Sequence, residues 1–264
     1  MVKMQLSEIH TILSSCSPIT LEEMDTVKLM NRFDTKYVFS SAKLPSFFEF
    51  LTSNYKILEI SGERSFRYNT LYLDTANYLF YNQHVTGKLS RHKVRYRTYE
   101  STGVTYLEIK KKTNQNRTVK WRIKKNFDSV AHDNEAAEFI QKHISHQDNI
   151  DLHPVMRNGF TRITMVGVDT HERITIDFNM DFQTMNGQSV SLPFIAIVEL
   201  KSESFACHSP FRSAVLQSGI HPVGFSKYCI GTAMLLNIPR KNILKQRLLL
   251  IKKIENEYPK SAVS

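Results

Sequence analysis

The stretch Arg91-His92-Lys93-Val94-Arg95-Tyr96-Arg97 sets a cation at every second position. Successive side chains of a strand point to opposite faces, so as a strand it gathers four cations on one side. His92, Val94, Tyr96 and Thr98 fall on the other side. The next two stretches repeat the division. Glu108, Lys110 and Lys112 alternate with Leu107 and Ile109, and Lys120, Arg122 and Lys124 alternate with Val119, Trp121 and Ile123. Ser101-Thr102-Gly103 and Asn114-Gln115-Asn116 are turn material, so the three stretches read as antiparallel neighbours.

The same alternation recurs elsewhere. Arg32, Asp34 and Lys36 share a face, as do Arg173, Thr175 and Asp177, and Glu199 and Lys201; Arg162 sits among Phe160, Ile163 and Met165. Taken together, these faces hold fourteen basic residues against Asp34, Glu108, Asp177 and Glu199. A solvated sheet face normally mixes signs, because like charges directly opposite one another destabilise the pairing. An excess of this size points to a compensating anion, and the net charge of +10 agrees. If helices cover the apolar faces from outside, the basic faces line a lumen. Tripolyphosphate, a nucleoside triphosphate and linear polyphosphate are narrow enough to enter it, whereas duplex nucleic acid is too wide. Single-stranded RNA would need aromatics on the basic face for stacking, but Tyr96, Trp121 and Phe178 lie on the apolar faces, so neither DNA nor RNA is the expected partner.

The remaining chain supplies the covers. The spacing predicts a short helix opened by a capping box at Thr20–Glu23, and helices over Leu44–Asn54, Glu135–Ser145, Ser209–Gly219 and Asn242–Tyr258, with a helical turn within Ala76–Val85. It predicts strands over Arg32–Ser40, Ser65–Thr75, Phe160–Val168, Glu172–Gln183 and Phe194–Glu203, and at Phe225–Leu235 a strand passing into a helix. This is an α+β chain: an antiparallel β tunnel barrel with a basic lumen, decorated by helices. One domain is expected over residues 1–264, with its core at about 20–235 and a terminal helix at 242–258. Cys16, Cys207 and Cys229 have no metal or redox spacing, and no apolar run reaches the ~20 residues of a membrane span, so a cytoplasmic location is expected. Among the acids, Glu199 is the first candidate to hold Mn²⁺ or Mg²⁺ beside phosphate oxygens, followed by Glu108 and Asp177; a salt bridge to neighbouring cations is the competing role.

Ordered motifs sharpen this. Arg32-Phe-Asp-Thr-Lys36-Tyr37, Leu71-Tyr-Leu-Asp74-Thr75, the Arg91–Arg97 strand, Leu107-Glu108-Ile-Lys110-Lys-Lys112, Lys120-Trp-Arg122, Arg173-Ile-Thr-Ile-Asp177, Val198-Glu199-Leu-Lys201 and Phe225-Ser226-Lys227-Tyr228 occur in this order. Together they resemble the VTC domains, the polyphosphate polymerase modules of the triphosphate tunnel metalloenzyme superfamily. The resemblance implies an eight-stranded antiparallel tunnel and metal-dependent transfer of the terminal phosphate of ATP to a growing polyphosphate chain. It implies that Lys36, Arg95, Arg97, Lys110, Lys120, Arg173 and Lys227 act on the reacting phosphates. Arg32, Arg91, Lys93, Lys112, Arg122, Arg162, Lys201, Ser226 and Tyr228 would bind substrate, and Glu199, Glu108 and Asp177 would be available to the metal. A tunnel hydrolase of tripolyphosphate or nucleoside triphosphates, and a non-catalytic polyphosphate or inositol-phosphate sensor, are the alternatives.

Overall fold

In the computed structural model the described residues are 9–26, 33–115, 117–126, 134–144, 150–203 and 209–258. The alternating basic stretches form β5 (Arg91–Tyr99), β6 (Val104–Lys112) and β7 (Thr118–Lys124). They pair antiparallel, with Lys93 opposite Lys110 and Lys110 opposite Lys120, so the cations do share a face.

The elements before them are α1 (residues 9–14), β1 (Pro18–Ile19), α2 (Leu21–Thr26), β2 (Phe33–Ser40), α3 (Leu44–Leu51), β3 (Tyr55–Leu58), β4 (Phe66–Asp74) and α4 (Leu79–Val85). After them come α5 (Asn134–His143), β8 (His153–Gly167), β9 (Glu172–Thr184), β10 (Ser189–Leu192), β11 (Ile195–Ser202), α6 (Pro210–Gln217), α7 (Lys227–Leu235) and α8 (Lys245–Glu257). Thr20 and Glu23 cap α2 reciprocally: the Thr20 N–H donates to the Glu23 carboxylate at 2.8 Å, and the Glu23 N–H donates to Thr20 Oγ1 at 3.2 Å. Ser209 caps α6, its hydroxyl accepting from the Arg212 N–H.

Eight strands follow one another in the order β2-β11-β9-β8-β4-β5-β6-β7. Every link on this path is antiparallel. No pairing joins β2 to β7 among the described residues, so the ring has a seam. The short strands β1, β3 and β10 attach to the side of this path.

The outer apolar face is covered as expected. Tyr37, Ile174, Ile176, Val198 and Leu200 pack under α3 and α6, which contribute Phe47, Phe48 and Phe211. Val94, Tyr96, Leu107 and Ile109 pack under Ala136 and Ile140 of α5. Burial of one such side chain contributes roughly 1.5–3 kcal/mol.

The inner face departs from the expectation that all helices lie outside. Beyond its charged stretch it turns apolar: Val38, Tyr72, Met156, Phe182 and Ile197 pack against α7 and α8. A register slip between Gly159 and Thr161 of β8 marks the change, beside Asn179 of β9, whose φ of 49° is left-handed. Two helices therefore plug one end of the lumen. The plug also explains why no strand forms at Phe225. Ser226 accepts the Cys229 N–H and starts a helix there, and α7 is buried nearly throughout.

Asp74 ties the plug to the wall. Its buried carboxylate accepts the N–H groups of Thr75, Phe80 and Tyr81 at 2.8–2.9 Å and the Tyr228 hydroxyl at 2.5 Å. Burial pushes the Asp74 carboxyl and the Tyr228 phenol up. The fit is close at Gly231, where an added Cβ would run into the Phe182 ring and Met156 sulfur. Gly231→Ala should therefore destabilise the fold by about 1–3 kcal/mol. A lowered chemical-denaturation midpoint at unchanged slope would bear this out, and an unchanged midpoint would mean that α7 is loosely seated.

Candidate functional site

Strand register places the inward charges in rows. On β11, Glu199 stands opposite Lys36 of β2, and Lys201 stands opposite Asp34 of β2 and Arg173 of β9. On the other side of the lumen, Lys93 faces Lys110, and Arg95 faces Glu108. Like charges at these separations would force the rows apart were they not interleaved with acids.

Three carboxylates do the interleaving. Glu108 takes Arg95 at 2.7 Å, Arg97 at 3.9 Å and Lys120. Asp177 receives two Arg162 nitrogens at 2.6 and 2.7 Å, and Lys227 besides. Glu199 bridges Lys36 at 2.9 Å and Lys201 at 2.8 Å. Burial alone would raise the pKa of each acid, but the surrounding cations win. They hold Glu108 at about 2 and keep Asp177 and Glu199 well below the usual carboxylate range.

Among the cations left over, two stand opposite each other on β5 and β6. Lys93 donates to the Ser226 hydroxyl at 3.1 Å, and neither Lys93 nor Lys110 has an ion-pair partner among the described residues. Burial lowers Lys93 to about 8, with Lys110, Lys36 and Arg95 adding repulsion. Lys110 is open to the cavity, but desolvation by the surrounding walls still lowers it to about 8; Glu199 opposes the fall, and Lys36 and Arg95 add to it. Both lysines line a cavity of about 670 Å³ together with Lys36, Arg91, Lys112 and Ser226. That cavity is bounded by β2 on one side, β5 to β7 on the other, and α4, α7 and α8 at its end.

The remaining sequence candidates divide. Arg162, Lys227 and Arg97 lie over aromatic rings: Lys227 Nζ is 4.3 Å from the Phe160 centroid, and Arg162 is 5.2 Å from it. Tyr68 stacks on Phe160 at 5.4 Å, and Arg97 lies 5.8 Å from the Tyr68 ring. This aromatic bed on the inner face was not foreseen, because Phe160 and Tyr68 carry no basic alternation of their own. Arg122 is exposed on β7 and lies 4.8 Å above the Tyr106 ring. Arg173 shares the inner face but gives one guanidinium nitrogen to the Met24 carbonyl at 3.1 Å. Tyr228 departs from the substrate-binding expectation: its hydroxyl is spent on Asp74 inside the plug. Arg32 lies outside the described residues. The cavity also takes in His84, Thr118 and Arg247, none of which carried a motif.

The acids differ in their suitability for a cation. Among the described residues, no three His, Cys, Asp or Glu side chains gather into a metal cage. The side chains of Glu108 and Asp177 are 1% and 5% exposed and closed in by guanidinium and ammonium groups, which leaves no room for an ion. Glu199, 18% exposed, is the more accessible. Mg²⁺ typically takes one or two protein carboxylates and fills its shell with phosphate oxygens and water, and Glu199 would fit that mode once Lys36 or Lys201 gives up one of its oxygens.

No curated protein matches the chain. Several solved structures bear a distant likeness to it. An adenylate cyclase candidate from Bacillus halodurans is 12% identical, with TM-score 0.47, over 75% of this chain and 94% of that one. The PH1819 protein from Pyrococcus horikoshii is 12% identical, with TM-score 0.44, over 83% and 99%. An adenylyl cyclase candidate from Hippeastrum, described as having a dominant triphosphatase activity, is 14% identical, with TM-score 0.42, over 80% and 98%. Likenesses this distant say nothing about activity. The family model for the VTC domain, by contrast, matches residues 31–236, which include all the inward rows of charge, and the chain belongs to the VTC domain family.

Proposed function

We propose that this chain is a metal-dependent phosphotransferase that passes the terminal phosphate of ATP to a growing polyphosphate chain in its tunnel. The observation that carries the reading is the pair Lys93 and Lys110. They are cations without carboxylate partners among the described residues, and they face the cavity that Lys36 shares, next to Glu199. A structural salt-bridge network would have paired them. An anion of high charge density is the missing partner, and VTC family membership makes a phosphate chain the preferred one.

Phosphoryl transfer asks little covalent chemistry of a protein. It needs nucleophile and leaving group in line, and charge placed where it develops. Lys36, Lys93 and Lys110 hold phosphate oxygens from opposite walls of the lumen. Arg95 and Arg97 are fixed by Glu108, and Arg162 and Lys227 by Asp177, so these cations keep their direction without reorganising as the reaction proceeds. A divalent ion, when bound, would neutralise phosphate charge, with Glu199 as its protein ligand. The terminal phosphate of the growing chain is the acceptor on this reading; water in its place would make the same tunnel a triphosphatase.

Incubating the protein with ATP and Mn²⁺ and sizing the products on a gel is the direct test. Long phosphate chains are expected. Free phosphate without chains would replace the polymerase by a hydrolase, and tight polyphosphate binding without turnover would leave a sensor. Glu199→Gln should abolish metal-dependent turnover while retaining polyphosphate binding; full activity in that variant would remove Glu199 from the metal site.

Lysine charge sets a pH dependence. Desolvation lowers Lys93 and Lys110 to about 8, below the ordinary lysine value of 10.5, and a bound anion would raise them again. Tripolyphosphate affinity should therefore be full below about pH 8 and fall as pH rises through it. Calorimetry at pH 8.5 in two buffers of different ionisation enthalpy should register proton uptake on binding, and equal heats in both would contradict it.

Glu108 titrates the other way. Its pKa lies at about 2 against an ordinary 4.5, so its stabilisation is fully present above pH 4.5 and is lost as pH falls through 2. Glu108→Gln leaves two arginines and Lys120 facing one another and should cost on the order of 3 kcal/mol at neutral pH. Tripolyphosphate should restore part of the lost thermal midpoint. A variant as stable as its parent would show that the cations do not depend on this acid.

A further inference from the structure

The VTC family model ends at residue 236, yet the cavity does not. Leu244 and Arg247, from the segment that follows, line it together with Lys36, Lys93 and Lys110. The segment is firmly seated there: Leu244, Ile251 and Ile254 are buried in the same apolar cluster as Val38 and Ile197, on the inner face of β2 and β11. α8 packs against β2 and β11, so its Arg247 reaches the cavity from the β2 side.

The Arg247 side chain is aimed by two main-chain carbonyls. Its Nε donates to Gly224 O at 2.9 Å, and its Nη1 donates to Ile243 O at 3.4 Å. Gly224 belongs to the strap that runs along β2 and leads into α7: Pro222 bridges Tyr37, and the Val223 N–H donates to the Lys36 carbonyl at 2.8 Å. The guanidinium is thus fixed at a point tied to Lys36. Its Nη2 edge makes no hydrogen bond or ion pair with the described residues. Two carbonyls orient the group but carry no full negative charge, so the cation remains uncompensated. With Nε and Nη1 each spent on a carbonyl, Nη2 offers a phosphate oxygen one charged hydrogen bond of fixed direction.

We infer that the C-terminal helix is part of the anion site and that Arg247 is a phosphate-binding residue of the cavity, supplied from outside the family-matched residues. This rests on the reading of the tunnel as a phosphate-chain site. It assigns a working part to a segment that would otherwise be only a packing helix, and it means that residues 31–236 alone do not contain the whole site.

Binding of tripolyphosphate, measured by calorimetry at pH 7 and fixed salt, provides the test. Arg247→Gln should weaken binding about tenfold, the effect of losing one charged hydrogen-bonding group. Arg247→Lys keeps the charge and should recover most of that loss. Arg240→Gln removes a charge from the same segment at an exposed position outside the cavity and should leave the affinity unchanged. Thermal midpoints without ligand accompany each variant, so that loss of fold is not read as loss of binding. Unchanged affinity in a folded Arg247→Gln protein, or equal weakening by Arg240→Gln, would overturn the assignment. Arg247→Lys binding as poorly as Arg247→Gln would also overturn it, since the residue would then act only by holding the strap. Failure of the unsubstituted protein to bind tripolyphosphate would instead bring down the functional reading, and this inference with it.

Discussion

Like charge confined to one face of a curled sheet is the constraint on which the rest of this structure depends. Each inward row brings cations within reach of one another, and the sheet can close round them only because Glu108, Asp177 and Glu199 are shared among several cations each. A carboxylate held by two or three cations stays ionised even when nearly buried. The acids therefore act first as spacers that let a basic lumen exist. Lys93 and Lys110, which they do not reach, mark where the structure leaves room for a ligand.

The same constraint accounts for the plug. Charge cannot continue inward indefinitely without acids to match it, and beyond Asp177 the inner face becomes apolar through Met180, Phe182 and Ile197. The bulge at Asn179 makes that change within a single strand pair. α7 then covers the apolar part and, through Ser226 and Lys227 at its start, contributes to the charged part. A single helix thus serves packing at one end and the site at the other.

Much of this was legible in the sequence because period-two alternation reports directly which side chains share a face. The rows on β2, β5, β6, β7, β9 and β11 follow from it. What it could not show were features with no period. β3 is only four residues and mostly buried, so nothing separates it from the end of the preceding helix. β10 is short and mostly polar. Phe225-Ser226-Lys227 looks extended by composition, but Ser226 is a helix cap, a role that depends on the N–H groups after it. Tyr228 stands in a motif beside Lys227 yet points to Asp74, because one residue along a helix turns a side chain by about 100°. Arg247 had no signal at all, since its importance comes from where α8 docks.

The seam between β2 and β7, unpaired among the described residues, has a mechanical meaning. A ring closed by ladder hydrogen bonds has a fixed circumference, whereas this one can widen without breaking any such bond. Lys36 stands on one side of the gap and Lys110 on the other, across the same cavity. A polyanion held by both would act as a buckle, drawing the edges together by its own charge. Loading would then tighten the sleeve, and shedding the cargo would slacken it, so that grip and shape are governed by a single event.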